Sequence, residues 1–217
     1  MCMRPLIQIP FAMNEIKRIV FASGNPGKAR EIRTMFRELF GDGVELVLQA
    51  ELGITEVEET GLTFEDNALL KARHAAQASG LPALADDSGI EVDALDGAPG
   101  VRSARFAGEN ASDRDNLEKL LQDLRAVPTE QRTARFRCVL AYVRSIEDPA
   151  PLLAGGVWEG SIARTPSGKD GFGYDPVFVD GGSGLSAAEL SPAAKNATSH
   201  RGRALLKLRE GLRDTGL

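Results

Sequence analysis

Leu81 to Ala85 is an apolar run too short for a typical helix, bounded by Gly80 and Pro82, and it leads directly into Asp86, Asp87, Ser88 and Gly89. A run of that length between chain breakers reads as a buried strand. In an open α/β sheet, ligands sit beyond the carboxyl ends of strands. Two acids delivered there, with a small residue and a glycine letting backbone approach, suit a hard cation bound to phosphate. The tetrapeptide is equally a set of ordinary turn formers, so a solvated turn stands as the alternative.

Upstream, Ile16 to Ala22 is a β-branched-rich strand, followed by SGNPGK (Ser23, Gly24, Asn25, Pro26, Gly27, Lys28) and by Ile32, Met35, Phe36 and Leu39 at helical spacing. Strand, glycine-rich loop and helix in that order present backbone N–H groups and a positive helix end to an anion. Gly24 and Gly27 are too close for a Walker A loop, and Ala29 stands where that motif needs Ser or Thr. A plain turn with a surface lysine is the competing reading. Residues 44–50 predict a short strand. Glu56, Glu58 and Glu59 then precede a helix with a capping-box-like start at Thr63 and Asp66, an alanine-rich face (Ala68, Ala72, Ala75, Ala76) and a stop at Gly80.

Ile90 and Val92 alternate with acids, so the chain is expected to remain extended there; Ser112 and Asp115 then start another helix. Residues 133–143 alternate Ala134, Phe136, Cys138, Leu140 and Tyr142, which predicts a strand with one partly open face. Leu152 to Ala163 predicts another, with a bulge expected at Gly155 and Gly156. In the second glycine-rich segment, Phe172, Gly173, Tyr174 and Asp175 combine flexible backbone with aromatics. These rings either stack a nucleobase or plug the rim of the core. Ser191 and Pro192 start a helical turn carrying Lys195, and Ser199 to Gly202 lead into a last helix. His200 is either structural or part of a donor-rich cluster with Lys195 and Arg201. Strands and helices intermix without a strict βαβα rhythm, which predicts an α/β fold with a mixed sheet.

The 217 residues are expected to form one catalytic domain over 13–217, with residues 1–12 a loose extension or an artefact of start-codon choice. Gln8 and the prolines interrupt any leader, so a signal peptide is not expected, and no apolar run predicts a membrane span. A net charge of −5 argues against a general binder of nucleic acid or membrane. Cys2 and Cys138 form no metal or disulfide pattern, and the expected setting is a reducing cytoplasm.

SGNPGK, EETGLTFEDNALLKAR, ALADDSGIEVDALDGAPGVRSARFAG, GFGYDPVF and SHRGRAL, in that order, resemble the non-canonical purine nucleoside triphosphate pyrophosphatases, also called inosine/xanthosine triphosphate pyrophosphatases, from about Ile16 to Leu212. The resemblance implies an elongated mixed β-sheet with helices in two lobes, an active cleft between them, and a homodimer. It implies Mg²⁺-dependent hydrolysis of ITP, dITP and XTP to the monophosphate and pyrophosphate, which cleanses the nucleotide pool. By matching motif, Ser23 to Lys28 would cradle the triphosphate, and Asp87 would hold the metal and act as base. Glu58 would be the second metal position, with adjacent Glu59 able to exchange that role. Ser88 would contact the nucleotide, Phe172 to Asp175 would pack on the base, and Lys195, His200 and Arg201 would read the purine edge. The alternatives are a regulatory protein that senses a purine nucleotide without cleaving it, and a pyrophosphatase for methylated or pyrimidine nucleotides.

Overall fold

The computed structural model describes residues 18–214; the extension expected over residues 1–12, and the start of the first expected strand, lie outside the described residues. Strand β1 (Arg18–Ala22) leads into helix α1 (Pro26–Phe40), then β2 (Glu45–Leu48), α2 (Phe64–Ser79) and β3 (Ala83–Val92). Both β2 and β3 pair with β1 in parallel. The chain moves one way from β1 to β2 and back past β1 to reach β3. Crossovers of one hand taken in opposite directions place their helices on opposite faces of the sheet. Accordingly α1 buries Ile32, Met35 and Phe36 with Ile19, Phe21 and Leu84. Helix α2 buries Ala68, Ala72 and Ala75 with Val20, Ala83 and Ala85 on the other face. The sheet therefore reverses its winding at β1, the position where open α/β sheets leave a crevice at the carboxyl ends of their strands.

The rest of the sheet is antiparallel. Helix α3 (Asp113–Asp123) precedes β4 (Thr133–Val143), β5 (Leu152–Ile162) and β6 (Phe178–Asp180), and helices α4 (Pro192–Thr198) and α5 (His200–Asp214) end the described chain. The strand order is β2-β1-β3-β4-β5-β6, a mixed sheet as expected. At ~3.3 Å per residue the three central strands are each roughly 33–36 Å long, long enough to serve two cores. Their first lobe carries the two clusters above, joined by Ala204, Leu205, Leu208 and Leu212 of α5. In the second lobe Ile90, Val92, Phe136, Trp158 and Ile162 pack with Leu117 and Leu120 of α3 and with Tyr174 and Phe178.

The caps follow the sequence reading. Thr63 accepts from the Asp66 N–H at α2, Gly80 ends that helix in the left-handed region, and Ser112 with Asp115 forms a reciprocal capping box at α3. Two expectations are corrected. The partly open face expected of β4 is confined to its first half, where Thr133, Arg135 and Arg137 alternate with buried Ala134 and Phe136. From Cys138 to Val143 the strand is buried on both faces, because α2 covers one side and α5 the other, and its neighbour β5 exposes Leu153, Val157 and Glu159. And β5 carries no bulge, its register to β4 running unbroken through Val139↔Gly155 and Cys138↔Gly156. Gly156 is small for another reason: a Cβ there would run into the His200 carbonyl oxygen and the Ala204 nitrogen of α5.

That contact separates the two glycines experimentally. Gly156→Ala is expected to lower stability by about 1–3 kcal/mol through overpacking against helix backbone. Gly155→Ala, whose Cβ would come no closer than 3.9 Å to the Cys138 carbonyl oxygen, is expected to stay within ~0.5 kcal/mol of wild type. Urea unfolding of both variants checks the pair.

Candidate active site

Strand β1 stops at Ala22 and pairs with β3 only from Ala83 to Ala85. Beyond that point β3 is flanked by β4 alone, which accompanies it to Val92. The two acids therefore do not follow the strand, as the apolar run predicts, but lie within it, where the loss of β1 opens the sheet. Being adjacent on a strand, they point to opposite faces.

Asp86 faces α1 and α5. The Lys28 ammonium lies 3.2 Å from its Oδ2, the Ser88 hydroxyl donates to the same oxygen at 2.7 Å, and Arg201 Nε is 3.9 Å away. Burial alone would raise its pKa, but the charges of Lys28, Lys71 and Arg201 outweigh burial and hold it at about 2. Asp87 faces α2, taking a hydrogen bond from Asn67 Nδ2 at 3.2 Å and an ion pair from Lys71 at 3.1 Å. Here burial dominates, Lys71 and Lys28 only partly offset it, and the pKa is raised. Neighbouring carboxyls are thus set to different affinities for a proton.

Lys71 also reaches Glu59 Oε1 at 2.6 Å, and Arg105 holds the other oxygen at 3.3 Å. Of the two expected alternatives, Glu59 is the carboxylate brought to Asp87 through a shared lysine, whereas Glu58 is exposed. Glu56 lies over the first glycine-rich loop, its carboxylate occupying the space a side chain at Gly24 would need. In that loop the Asn25 side chain accepts from the Lys28 N–H at 3.0 Å, and Pro26 takes the first turn of α1, so Ser23 to Lys28 form a capped helix start.

The second glycine-rich segment faces it across the opening. Tyr174 is buried in the core of the second lobe and donates to the Ser103 carbonyl at 2.8 Å. Phe172 is half-buried, with Lys195 Nζ 5.2 Å and the Arg201 guanidinium 5.1 Å from its ring centroid. The ring lies against Gly27, where a Cβ would come within 2.6 Å. Both rings border the cleft, but Tyr174 is at the same time a plug of the second core. Asp175 accepts from Lys195 at 2.6 Å and from the Phe172 N–H at 2.8 Å; Lys195 and Arg201 also share Glu31, at 2.7 and 2.9 Å. His200 is fully buried and stacked on Phe136 with ring centroids 4.7 Å apart. Its pKa is lowered by burial and by Arg201 and Lys195, and neither ring nitrogen has a hydrogen-bond partner.

One cleft, of about 80 Å³, joins these parts: Asn25, Lys28, Ser88, Phe172, Gly173, Tyr174, Asp175 and Arg201 all line it. Lys195 and His200 stand behind that wall, and Asp87 lies on the other face of β3. Sequence reasoning missed Asn67, Lys71, Arg105 and Glu31. The signal was the spacing: Asn67 and Lys71 are four apart on α2, and Lys28 and Glu31 three apart on α1, so each pair shares a helix face.

Because Asp86 has a depressed pKa, it contributes stability that is full above its ordinary range near pH 4 and is lost as pH falls through about 2. Asp86→Asn leaves Lys28 and Arg201 facing a neutral amide and is expected to cost ~3–5 kcal/mol at neutral pH. Urea titrations between pH 7 and 2 should show a shallower acid loss in the variant.

A model of the Ham1 family matches residues 19–211. The chain is 56% identical over 199 residues to the dITP/XTP pyrophosphatase of Yersinia pseudotuberculosis, a match covering 92% of this chain and all of that one. Among solved structures, a HAM1 protein from Coxiella burnetii superposes with a TM-score of 0.82 at 49% identity, covering 91% of this chain and 99% of that one. The Ham1 protein of Staphylococcus aureus gives 0.78 at 40% identity, covering 92% and 100%. Matched over nearly its whole length in this way, the chain belongs to the Ham1 family.

Proposed function

We infer that this protein hydrolyses non-canonical purine nucleoside triphosphates, ITP, dITP and XTP, to the monophosphate and pyrophosphate, removing them before they enter DNA or RNA. The observation that carries the reading is a cleft with a capped, lysine-bearing helix start at one end and an aromatic–cationic wall at the other, with the carboxylates Asp87 and Glu59 joined through Lys71 across β3 from it. The dITP/XTP pyrophosphatase name of the Yersinia relative agrees with it.

The charges around the cleft already balance among themselves. Lys28, Lys195 and Arg201 face Asp86, Asp175 and Glu31, while Lys71 and Arg105 face Asp87 and Glu59. A triphosphate therefore enters with its own charge uncompensated, and a divalent cation fits that need. Among the described residues no group of three or more His, Cys, Asp or Glu is arranged to hold a metal. Magnesium takes one or two carboxylates together with substrate phosphates and water, and the hard oxygens of Asp87 and Glu59 are of the right kind. Those two would hold Mg²⁺, which when bound neutralises phosphate charge and acidifies water.

The protein's own groups supply the rest. The backbone N–H groups left free in the Ser23–Lys28 loop receive the phosphates, the Lys28 N–H being taken by the Asn25 side chain. Asp87, with its raised proton affinity, accepts the proton of a water attacking the α-phosphorus. The bond from that phosphorus to the α,β-bridging oxygen breaks, and pyrophosphate departs. Phe172 stacks the base, and Lys195 is committed to Glu31 and Asp175, so it orients the wall. Arg201, whose Nε has no hydrogen-bond partner, is the donor on the cleft wall for the 6-oxo group of hypoxanthine or xanthine, with His200 packed behind it; the 6-amino group of adenine would leave donors opposed.

A homodimer and a cytoplasmic setting belong to the same reading. Leu153 (43% exposed) and Val157 (37%) form an apolar strip on the uncovered face of β5, which suits burial against a second copy. No helix among the described residues is long and apolar enough to cross a membrane.

A panel of triphosphates with Mg²⁺, assayed for pyrophosphate, tests the reading; binding without release would favour the purine sensor. Asp87→Asn is expected to lower turnover on ITP at least ~10²-fold while remaining folded. Phe172→Leu is expected to weaken nucleotide binding roughly 5- to 150-fold, from ~1–3 kcal/mol of lost stacking, with little change in melting temperature. Val157→Glu should shift the sedimentation profile from dimer to monomer.

A further inference from the structure

We propose that Asp113 is a positioning residue for the nucleotide cleft, a latch that ties the second glycine-rich segment to α3 and so sets where Phe172 stands. The inference rests on the function proposed above, through the role given there to Phe172. Gly171, Phe172 and Gly173 form a short arch whose two glycines have φ of 81° and 59°, and its successive N–H groups go to different carboxylates. The Phe172 N–H donates to Asp175, which is buried and anchored by Lys195. The Gly173 N–H donates at 2.9 Å to Asp113 Oδ2, a bond between residues 60 apart in sequence.

Asp113 is not needed to start its own helix, since Ser112 and Asp115 supply the capping box. Nor does it enter any ion pair among the described residues. Its carboxylate is exposed and serves the arch.

The arch has somewhere to go when it is released. Asp113, Phe172 and Gly173 line the cleft and also a second groove on its outer side, walled by Leu117, Leu121, Pro166 and Pro176. These three residues are the partition between the two spaces. With the latch closed, Phe172 stays against Gly27 and over Lys195 and Arg201; with it open, the ring can swing toward the outer groove. A nucleotide would then have to order the arch as it binds, which weakens affinity without touching the reacting phosphate.

Asp113→Ala removes the acceptor, and Asp113→Asn keeps a carbonyl oxygen in place. With ITP and Mg²⁺, Asp113→Ala is expected to raise KM about 3- to 10-fold, the scale of one lost hydrogen bond, with kcat within twofold. Asp113→Asn should restore KM to near wild type. In the nucleotide-free protein, amide hydrogen exchange at Gly173 should accelerate in Asp113→Ala and stay slow in Asp113→Asn. A KM unchanged in Asp113→Ala, an equal rise in both variants, or a Gly173 amide that exchanges as fast in wild type as in Asp113→Ala overturns the latch. If wild type releases no pyrophosphate from any triphosphate, the proposed function falls instead, and the exchange measurement still decides the latch.

Discussion

A carboxylate enclosed in protein without a counter-charge takes up a proton, because desolvation penalises the ion by more than most single contacts return. Asp86 has no exposed side-chain surface, yet it remains ionised because cations converge on it from helices separated by most of the chain. Lys28 comes from the first turn of α1 and Arg201 from the first turn of α5. The two helices share one face of the sheet. The same Arg201, through Glu31 and Lys195, reaches Asp175 and hence the arch that carries Phe172. Removing one charge from that chain leaves another stranded, so the glycine cradle, the last helix and the aromatic segment are held in register by electrostatic necessity.

The cleft itself exists because one strand is short. Had β1 continued alongside β3 beyond Ala22, its backbone would have filled the space that Ser88, Phe172 and Arg201 now border. The interior of β3 instead becomes an edge inside the molecule, and the Ile90 N–H, left without a strand partner, is met by the Ser103 hydroxyl at 2.9 Å. Alternation along β3 then distributes chemistry between faces. Asp86 pairs with Lys28 of the first glycine-rich loop on one side, and Asp87 lies with Asn67 and Lys71, and through Lys71 with Glu59, on the other.

Much of this was legible from local pattern. The caps of α2, α3 and α4 and the alternation in the first half of β4 are short-range signals, and each element appears where its residues place it; α1 begins at Pro26, earlier than the loop reading of Ser23 to Lys28 allowed. What pattern alone could not convey was long-range partnership. Nothing near Asp86 in sequence announces Arg201, and the acids at 86 and 87 read as a terminus because their neutralising cations are elsewhere. Gly155 and Gly156 look alike on paper, yet only the second lies under the backbone of α5. Glu58 and Glu59 are likewise indistinguishable until the fold brings Lys71 beside one of them.

Strands β3, β4 and β5 run unbroken through both lobes. No linker peptide separates the two cores, so the halves of the molecule share hydrogen-bond ladders rather than a hinge. A sheet whose strands run through both lobes resists opening along its whole width, which leaves accommodation of different substrates to side chains and loops at the mouth. The ladders also couple the fates of the lobes: losing the packing around Trp158 withdraws support from strands that build the core around Leu84. Two hydrophobic centres in such a scaffold melt as one cooperative unit, and a ligand seated between them stabilises both together.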